Sequence, residues 1–172
     1  MFTAQSSLTR LAAVVALTMG LAACATTEPG PPPPPVPTGP VAAGATVLGN
    51  TDFNIDDGHG SCSGLSVALM ADSPRFRRRA EALYGSLVHA SQPVAVVKAR
   101  SAALGPEDAT APVQTAQCNA RGEFILNGVP GGSYFLIAHV WIIRPGQGRT
   151  DHVILQRVSL HDGQTKDVRL IP

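Results

Sequence analysis

Charged residues are scarce in this sequence of 172 residues, because Asp, Glu, Lys and Arg together make up only 15% of it. The 13 basic and 12 acidic side chains leave a net charge of +1 at neutral pH. A chain without a bulk electric field has no long-range attraction for nucleic acid or for an anionic membrane surface, so no nucleic-acid partner is expected. Hydrophobic residues make up 44%, which suffices for a buried core and excludes wholesale disorder. The length suits one domain with appendages.

A hydrophobic run long enough to cross a membrane is missing from the N-terminal region. Residues 11–21 form an uncharged, mostly apolar stretch, and its eleven residues are fewer than the roughly 20 that a membrane-spanning helix needs. A run of this length is typical of the apolar region of an export signal. It ends in the sequence Leu21-Ala22-Ala23-Cys24.

The Leu-Ala-Ala-Cys sequence at residues 21–24 closely resembles the lipobox of bacterial lipoproteins. That resemblance implies a signal peptide over residues 1–23 and a Cys24 that becomes the first mature residue and carries lipid, palmitate included. In a Gram-negative host, Ala25 in place of aspartate implies an outer-membrane location, on the periplasmic or the surface side. The alternative is an ordinary secretory peptide cleaved near Ala23. The expected location is the cell envelope, with the membrane as a partner through the lipid.

Proline is concentrated in one segment that follows the cysteine. Eight of the twelve residues 29–40 are proline. Because proline fixes φ and lacks an amide N–H, residues 24–40 are predicted to form a lipidated, extended polyproline II stalk. At about 3.1 Å per residue, the proline-rich part would hold the next domain roughly 37 Å from the anchor. A proline-rich ligand for an aromatic groove is the alternative interpretation.

Short apolar runs, broken by glycine, proline and polar residues, fill residues 41–172. Apolar and polar residues alternate at Phe53 and Ile55, and this alternation, typical of half-buried strands, recurs at Leu65, Val67 and Leu69. Further strands are predicted over residues 94–97, 124–126, 134–143, 153–160 and 165–171. The Asp-Gly pair at residues 162–163 favours a tight turn, so the last two strands are predicted to form a hairpin. Together these strands predict a β-sandwich.

One segment has helical instead of strand periodicity. Ser73 suits a helix N-cap, Pro74 suits the first turn, and Gly85 is expected to end the helix. The apolar residues between them fall on one helix face: Phe76, Ala80, Leu83 and Tyr84. The sequence therefore predicts one short helical insert that lies across an open end or a flank of the sandwich.

Residues 122–138 read GEFILNGVPGGSYFLIA. This segment resembles the Gly-x-Phe-x-Phe-x-x-Val-Pro-x-Gly-x-Tyr core of carboxypeptidase regulatory-like domains. The resemblance implies an all-β, prealbumin-like (transthyretin-like) Greek-key sandwich of about seven strands over residues 41–172, in which Val-Pro-Gly at 129–131 closes a hairpin. Related collagen-adhesin repeats carry a lysine–asparagine isopeptide bond that starts from the first strand. The lysines here are Lys98 and Lys166, so no such crosslink is expected.

Cysteine is rare, with three residues in the chain. With Cys24 assigned to the lipid, Cys62 and Cys118 remain as the intrachain pair, and export to an oxidising compartment favours a disulfide between them. The bridge would close a loop of roughly 57 residues and contribute about 4 kcal/mol at most. Redox or nucleophilic use of a free thiol is the alternative, although no Cys-x-x-Cys pair is present.

No motif for catalysis or for metal binding is complete in this sequence. In Gly-Ser-Cys-Ser-Gly at residues 60–64, each serine has the other where the nucleophile elbow requires glycine, so a loop beside the disulfide is the better interpretation. The pattern of Asp52, Asn54 and Asp56 begins like a calcium loop. Its glycine comes one place late and its twelfth position is serine, so the polar face of an edge strand is the simpler interpretation.

The histidines show neither His-x-His nor His-Glu-x-x-His spacing: His59, His89, His139, His152 and His161. His139 lies in an apolar strand, where a hydrogen-bonded structural histidine is the ordinary outcome. His152 and His161 flank the penultimate strand, and a fold that brings either of them beside Asp56 or Asp57 would offer a transition-metal site. No metal or cofactor is expected.

The single basic cluster lies at the start of the predicted helix and consists of Arg75, Arg77, Arg78 and Arg79. Positive charge there opposes the helix macrodipole, so the cluster is locally unfavourable unless it is solvated or paired. Such a feature suggests contact with an anionic envelope polymer or an acidic partner surface. A solvated helix face is the alternative.

These features favour a membrane-anchored cell-envelope lipoprotein that is not an enzyme, whose β-sandwich binds a protein or glycan neighbour or serves as a structural module. The alternative is a metal-dependent or hydrolytic accessory enzyme with a site built from scattered His and Asp. Transthyretin-like hydroxyisourate hydrolases show that such sandwiches can catalyse, but their terminal tetrapeptide is missing here, and a fold does not transfer an activity. A solvent-facing aromatic or arginine patch would favour binding, whereas three convergent His, Asp or Glu side chains would favour an enzyme.

Overall fold

A computed structural model describes residues 43–106 and 110–172 of the chain. The predicted signal peptide, Cys24 and the stalk of residues 24–40 lie outside the described residues. Within the described part, no helix combines the length and the apolar character that crossing a bilayer requires.

The described residues are mostly β-structure, with ten strands and two helices. The strands are β1 Ala45–Asn50, β2 Phe53–Ile55, β3 Gly58–Ser61, β4 Ser66–Ala71, β5 His89–Pro93, β6 Gln114–Gln117, β7 Glu123–Val129, β8 Gly132–Arg144, β9 Gly148–Leu160 and β10 Thr165–Arg169. The helices are α1 Pro74–Tyr84, after β4, and α2 Val94–Leu104, after β5. The expected seven or so strands are therefore too few, because β3 and β6, with four residues each, are too short to show a period.

The strands form two sheets. β1 is the central strand of the smaller sheet, with β10 parallel to it on one side and β7 antiparallel on the other. The larger sheet is built on β8 and β9, which pair antiparallel along their whole lengths of 13 residues each. β4 and β3 share the other edge of β8, and β6, β2 and β5 extend the sheet from β4, β3 and β9 respectively. The prediction of an all-β sandwich is confirmed at this level.

Alternate side chains of β8 face opposite layers, as the pleat of a strand requires. Leu136, Val140 and Ile142 are at most 1% exposed and belong to the core between the two sheets. Gly49 lies opposite Phe124 in the smaller sheet, and a Cβ at Gly49 would come within 1.9 Å of the Phe124 ring. The glycine therefore makes room for the largest side chain that the smaller sheet places in this core.

α1 covers part of the outer face of the larger sheet. The predicted ends are confirmed: the Ser73 hydroxyl accepts from the amide of Phe76 at 3.1 Å, Pro74 opens the helix, and Gly85 ends it with φ of 75°. The Phe76 ring packs 5.1 Å from that of Phe135 on β8. The larger sheet is thus buried on both faces here, by the smaller sheet on one side and by helices on the other.

The strand predicted over residues 94–97 is wrong, because these residues begin α2. The β-branched run does not pair, since pairing with β9 ends at Pro93, which lacks the N–H that a continuing strand needs. Val94 and Val97, one helical turn apart, pack against the core under the helices. The alanine-rich segment that follows favours a helix. The described part of the chain therefore has two helical inserts where one was predicted.

Both predicted hairpins that involve turn motifs are also wrong. β10 pairs with β1 in the smaller sheet and not with β9. The Val-Pro-Gly segment at 129–131 joins β7 of the smaller sheet to β8 of the larger one. Each turn instead carries the chain from one sheet to the other, because the strand that follows it has its pairing partners there: β8 pairs with β9, β4 and β3, and β10 pairs with β1.

Candidate functional site

The predicted disulfide between Cys62 and Cys118 is present, with Cα atoms 5.8 Å apart. Both residues are buried, so the structure leaves neither sulfur as a free thiol for redox or nucleophilic use. Ser61 beside it is also buried, and its hydroxyl accepts from the amide of Ser63 at 3.1 Å. Strand β4 follows this loop, so the strand-to-helix turn of a nucleophile elbow is not formed.

Part of the predicted arginine cluster is used to hold the helix on the sheet. Arg77 of α1 and Arg157 of β9 both donate to the Asp72 carboxylate, the latter at 2.6 Å. The Asp72 side chain is only 1% exposed. The hydrogen bond from Arg77, followed by that from Arg157, outweighs the effect of burial and lowers the pKa of Asp72. This triad joins the start of α1 to the larger sheet.

Among the remaining arginines of the cluster, one connects the two helices and another is exposed to solvent. Arg79 donates to the Gly105 carbonyl at 3.0 Å and to the Ser101 hydroxyl at 2.8 Å, at the end of α2. Arg75 also has an intramolecular interaction. Arg78 is exposed. At least Arg77 and Arg79 therefore serve as structural ties within the chain.

The histidines that were weighed as metal ligands are dispersed. His139 is exposed on β8, and His161 lies in the turn after β9. His152 lies on β9 opposite Val140, and its buried Nδ1 has no hydrogen-bond partner among the described residues. Burial lowers the pKa of His152, and the nearby Arg144 adds to this effect. Within residues 43–106 and 110–172, no three His, Cys, Asp or Glu side chains come together as a metal site.

The structure instead brings polar and aromatic side chains together on the C-terminal half of β8. Trp141 and Ile143 lie on the same face of the larger sheet as Phe135, but the helices cover the sheet only as far as Phe135 and Ile137. Ile143 is 47% exposed. Cross-strand partners on β9 and β3, together with residues before and within β2, complete a surface that we call the Trp141 face. It consists of Asp52, Asn54, His59, Trp141, Ile143, Arg149 and Asp151.

Trp141 is held in a defined orientation at the centre of this face. Its indole N–H donates to the Ser63 carbonyl at 3.3 Å, so the ring extends from β8 across β3. The His59 ring packs against it at a centroid distance of 5.4 Å and an angle of 66°. The His59 Nε2 lies 3.2 and 3.3 Å from the two carboxylate oxygens of Asp52. Trp141, His59 and Asp52 thus form a contiguous series of an indole, an imidazole and a carboxylate.

The β9 side of the Trp141 face carries a charge pair. Arg149 donates to the Asp151 carboxylate at 3.0 Å, and both side chains are just over half exposed. Asp151 is the direct cross-strand neighbour of Trp141, and Arg149 is that of Ile143. Hydrogen-bonding groups therefore flank the indole on both sides. A single, partly exposed aromatic ring is therefore surrounded by a few polar groups.

Sequence patterns do not reveal this face. The polar alternation at Asp52 and Asn54 indicates an edge strand, and the acids expected near His152 or His161 are Asp56 and Asp57, whereas the structure places His59 against Asp52. The available signal was the single tryptophan of the chain, in the middle of a long strand. Strand pairing had to be known before that residue could be connected with His59.

A concave surface lies on the outer face of the smaller sheet. Its depression of about 640 Å³ is lined by residues of β1, β7 and β10, among them Leu48 and Ile125, which are 38% and 55% exposed. Phe124 is directed into the core, so no aromatic ring is offered to solvent there. At its edge, Glu123 is held by Asn119 and Arg121, whose hydrogen bonds lower the pKa of its carboxyl.

No family model and no curated protein matches the chain. Among solved structures, the chain is similar to the crystal structure of a "putative carbohydrate binding protein" from Pseudomonas aeruginosa. The two are 17% identical in sequence, and the TM-score is 0.46. The match covers 75% of this chain and 88% of the other.

Proposed function

We propose that this chain is a membrane-anchored lipoprotein of the cell envelope whose non-catalytic β-sandwich binds an envelope protein or glycan through the Trp141 face. The observation that carries the binding function is the position of the only tryptophan, held by hydrogen bonding on a sheet face that the helices leave uncovered. Aromatic side chains placed on an accessible surface beside polar groups are enriched at recognition sites. Trp141 is partly exposed there, so part of its ring is accessible to a ligand, which supports a binding module.

The anchor rests on the lipobox at residues 21–24. Replacing Cys24 with Ser should abolish incorporation of a fatty-acid probe and release the protein from the membrane fraction, because the cysteine sulfur is the atom that receives the lipid. Unchanged labelling and membrane retention would contradict the lipoprotein assignment. With lipid attached to Cys24, the stalk of residues 24–40 would hold the sandwich away from the bilayer.

The finer fold that we propose is the prealbumin-like Greek-key sandwich of carboxypeptidase regulatory-like domains. The segment at residues 122–138 supports it. So do the chain crossings between the sheets after β7 and after β9, which return the last strand to a position beside the first. The two helices would be insertions into that framework.

Site-specific crosslinking in intact cells tests the binding function. A photoreactive residue in place of Ile143 should capture envelope material, because this position belongs to the face and is 47% exposed. The same residue in place of Val88, which is 69% exposed but belongs to the loop before β5, is the matched control. Equal capture at both positions, or capture at neither, would refute the proposed role of the Trp141 face.

A further inference from the structure

We infer that the ligand of the Trp141 face is an uncharged glycan, with the Trp141 indole stacked on the C–H face of a pyranose ring. This inference rests on the proposed function and specifies its ligand. Pyranose rings combine an apolar face of C–H groups with a rim of hydroxyls. They therefore require a flat apolar surface surrounded by groups that donate and accept hydrogen bonds.

The indole of Trp141 is already arranged as such a surface before any ligand arrives. Its only hydrogen-bond donor is satisfied by the Ser63 carbonyl, so the ring needs no polar contact from the ligand and is fixed in orientation. The His59 ring packs against it and restricts it further. A preorganised aromatic ring loses little conformational entropy on binding, which favours recognition of a small, rigid ligand.

The polar groups on both sides of the indole suit hydroxyls. A hydroxyl both donates and accepts, so it can donate to the carboxylates of Asp52 and Asp151 and accept from Asn54 or Arg149. The side chains of Asp52 and His59 are 46% and 44% exposed, so they remain accessible to a ligand while they contact each other. Hydrogen bonds to charged groups are the stronger ones, and few are needed to orient a sugar.

The charge distribution favours an uncharged ligand over an anionic one. The face and its edge carry two carboxylates, Asp52 and Asp151, and two cations, Arg149, which is paired with Asp151, and Arg169, which donates to the Asp52 carbonyl at 3.5 Å. These charges balance, so the face has no net attraction for an anionic ligand. A protein interface of standard size is less well suited, because its centre requires several apolar side chains and this face offers Trp141 and Ile143.

The single tryptophan makes the test specific to the site, since all intrinsic indole fluorescence of the chain comes from Trp141. The full-length chain, purified in detergent, would be titrated with uncharged tetrasaccharides of glucose, mannose, galactose and N-acetylglucosamine, and with an oligouronic acid for comparison. At least one uncharged tetrasaccharide should shift the emission saturably, and the oligouronic acid should bind at least tenfold more weakly. No saturable shift with any uncharged tetrasaccharide, or tighter binding of the oligouronic acid, would overturn the inference.

Variants examined by calorimetry separate stacking from polar contacts. Trp141→Ala should weaken binding by about tenfold or more, with partial recovery in Trp141→Phe, because the phenyl ring restores a flat surface. Asp52→Asn should weaken binding by about three- to tenfold. Arg78→Glu on α1, outside the face, is the matched control and should bind as the unmodified chain does. Full affinity in Trp141→Ala, or a loss in Arg78→Glu equal to that in Asp52→Asn, would refute the placement of the site.

The crosslinking experiment distinguishes the failure of this inference from the failure of the proposed function. Capture of a protein through position 143, without binding of any uncharged tetrasaccharide, would retain the binding module and reject the glycan. Absence of both would reject the module as well. Binding of a tetrasaccharide together with capture of glycan through position 143 would support both.

Discussion

Removing the Cys62–Cys118 bridge should lower the free energy of unfolding by about 4 kcal/mol. The two cysteines are 56 residues apart in sequence, and the loop between them contains β4, α1, β5, α2 and β6. In the chain-entropy model, a closed loop of that length removes about 14 cal/mol/K from the unfolded chain, which is about 4 kcal/mol at room temperature. Domains of this size are stabilised by only about 5–15 kcal/mol, so the loss is a large fraction of the total.

The expected shift in Tm follows from the size of the domain. Residues 41–172 comprise about 130 residues, for which the entropy of unfolding is about 0.27 kcal/mol/K. A loss of about 4 kcal/mol then corresponds to a decrease of about 15 °C in Tm. Because β4 and β6 pair with each other, and Cys62 and Cys118 lie just outside that pairing, the native strands are expected to stay in register without the bridge.

Calorimetry and circular dichroism on three samples would measure this effect. They are the oxidised chain, the same chain in reductant, and the double variant Cys62→Ala/Cys118→Ala. The reduced chain retains both buried sulfur atoms, so it reports the crosslink alone, whereas the double variant also loses their packing. The double variant should therefore be slightly less stable than the reduced chain.

Two results would refute this reasoning. Thiol titration of the denatured, unreduced chain that found Cys62 and Cys118 free would remove the bridge itself. A Tm that differed by less than about 3 °C between the oxidised and the reduced chain would show that the loop is not a significant source of unfolded-state entropy.

Three further predictions concern single sites. Asp72→Asn should lower the free energy of unfolding by about 1.5–3 kcal/mol at pH 7 in urea unfolding. Because the pKa of Asp72 in the folded state lies below its ordinary 3.8, this stabilisation is complete above pH 3.8 and is lost as the pH falls below it. A difference between variant and unmodified chain that did not shrink as the pH fell below 3.8 would contradict the assignment. Gly49→Ala should lower the free energy of unfolding by about 1–3 kcal/mol, because its Cβ would meet the Phe124 ring. In a double-mutant cycle, Phe124→Leu should relieve this loss. Strictly additive effects of the two substitutions would show that the two sites do not touch. The pKa of His152 lies below its ordinary 6.5 in the folded state, so the unfolded chain binds more protons and the free energy of unfolding should fall as the pH drops below 6.5. His152→Gln should flatten this part of the dependence of Tm on pH, measured by thermal unfolding. An unchanged slope would assign the pH dependence to another group.

Local elements were predictable because their causes are local. Ser73, Pro74 and Gly85 define the ends of α1 through contacts within a few residues, and the structure confirms each of them. The alternation around Phe53 and around Leu69 reports which side chains are buried, and both residues are in the core. The disulfide followed from the number of cysteines together with the expected export.

Pairing partners were not predictable in the same way. A period of two residues tells which face of a strand is buried but not which strand lies beside it, so the turn at residues 162–163 was interpreted as a hairpin although β10 joins β1. The valines of residues 94–97 are compatible with a strand or with a helix. They form a helix because the pairing of β5 with β9 ends at Pro93. Nor does the sequence show that two arginines of α1 have structural partners, Asp72 for Arg77 and the end of α2 for Arg79.

By itself, the amino-acid sequence determined the caps of α1, the strand-rich character of residues 41–172 and the pairing of the two cysteines, because each depends on neighbouring residues or on a count. Only the tertiary structure brought Asp52, His59 and Trp141 into contact, from one strand pair and a strand about 80 residues further along. The reason is that their proximity depends on β3 pairing with the far end of β8. Backbone hydrogen bonds between distant segments set that register, and no short-range pattern encodes it.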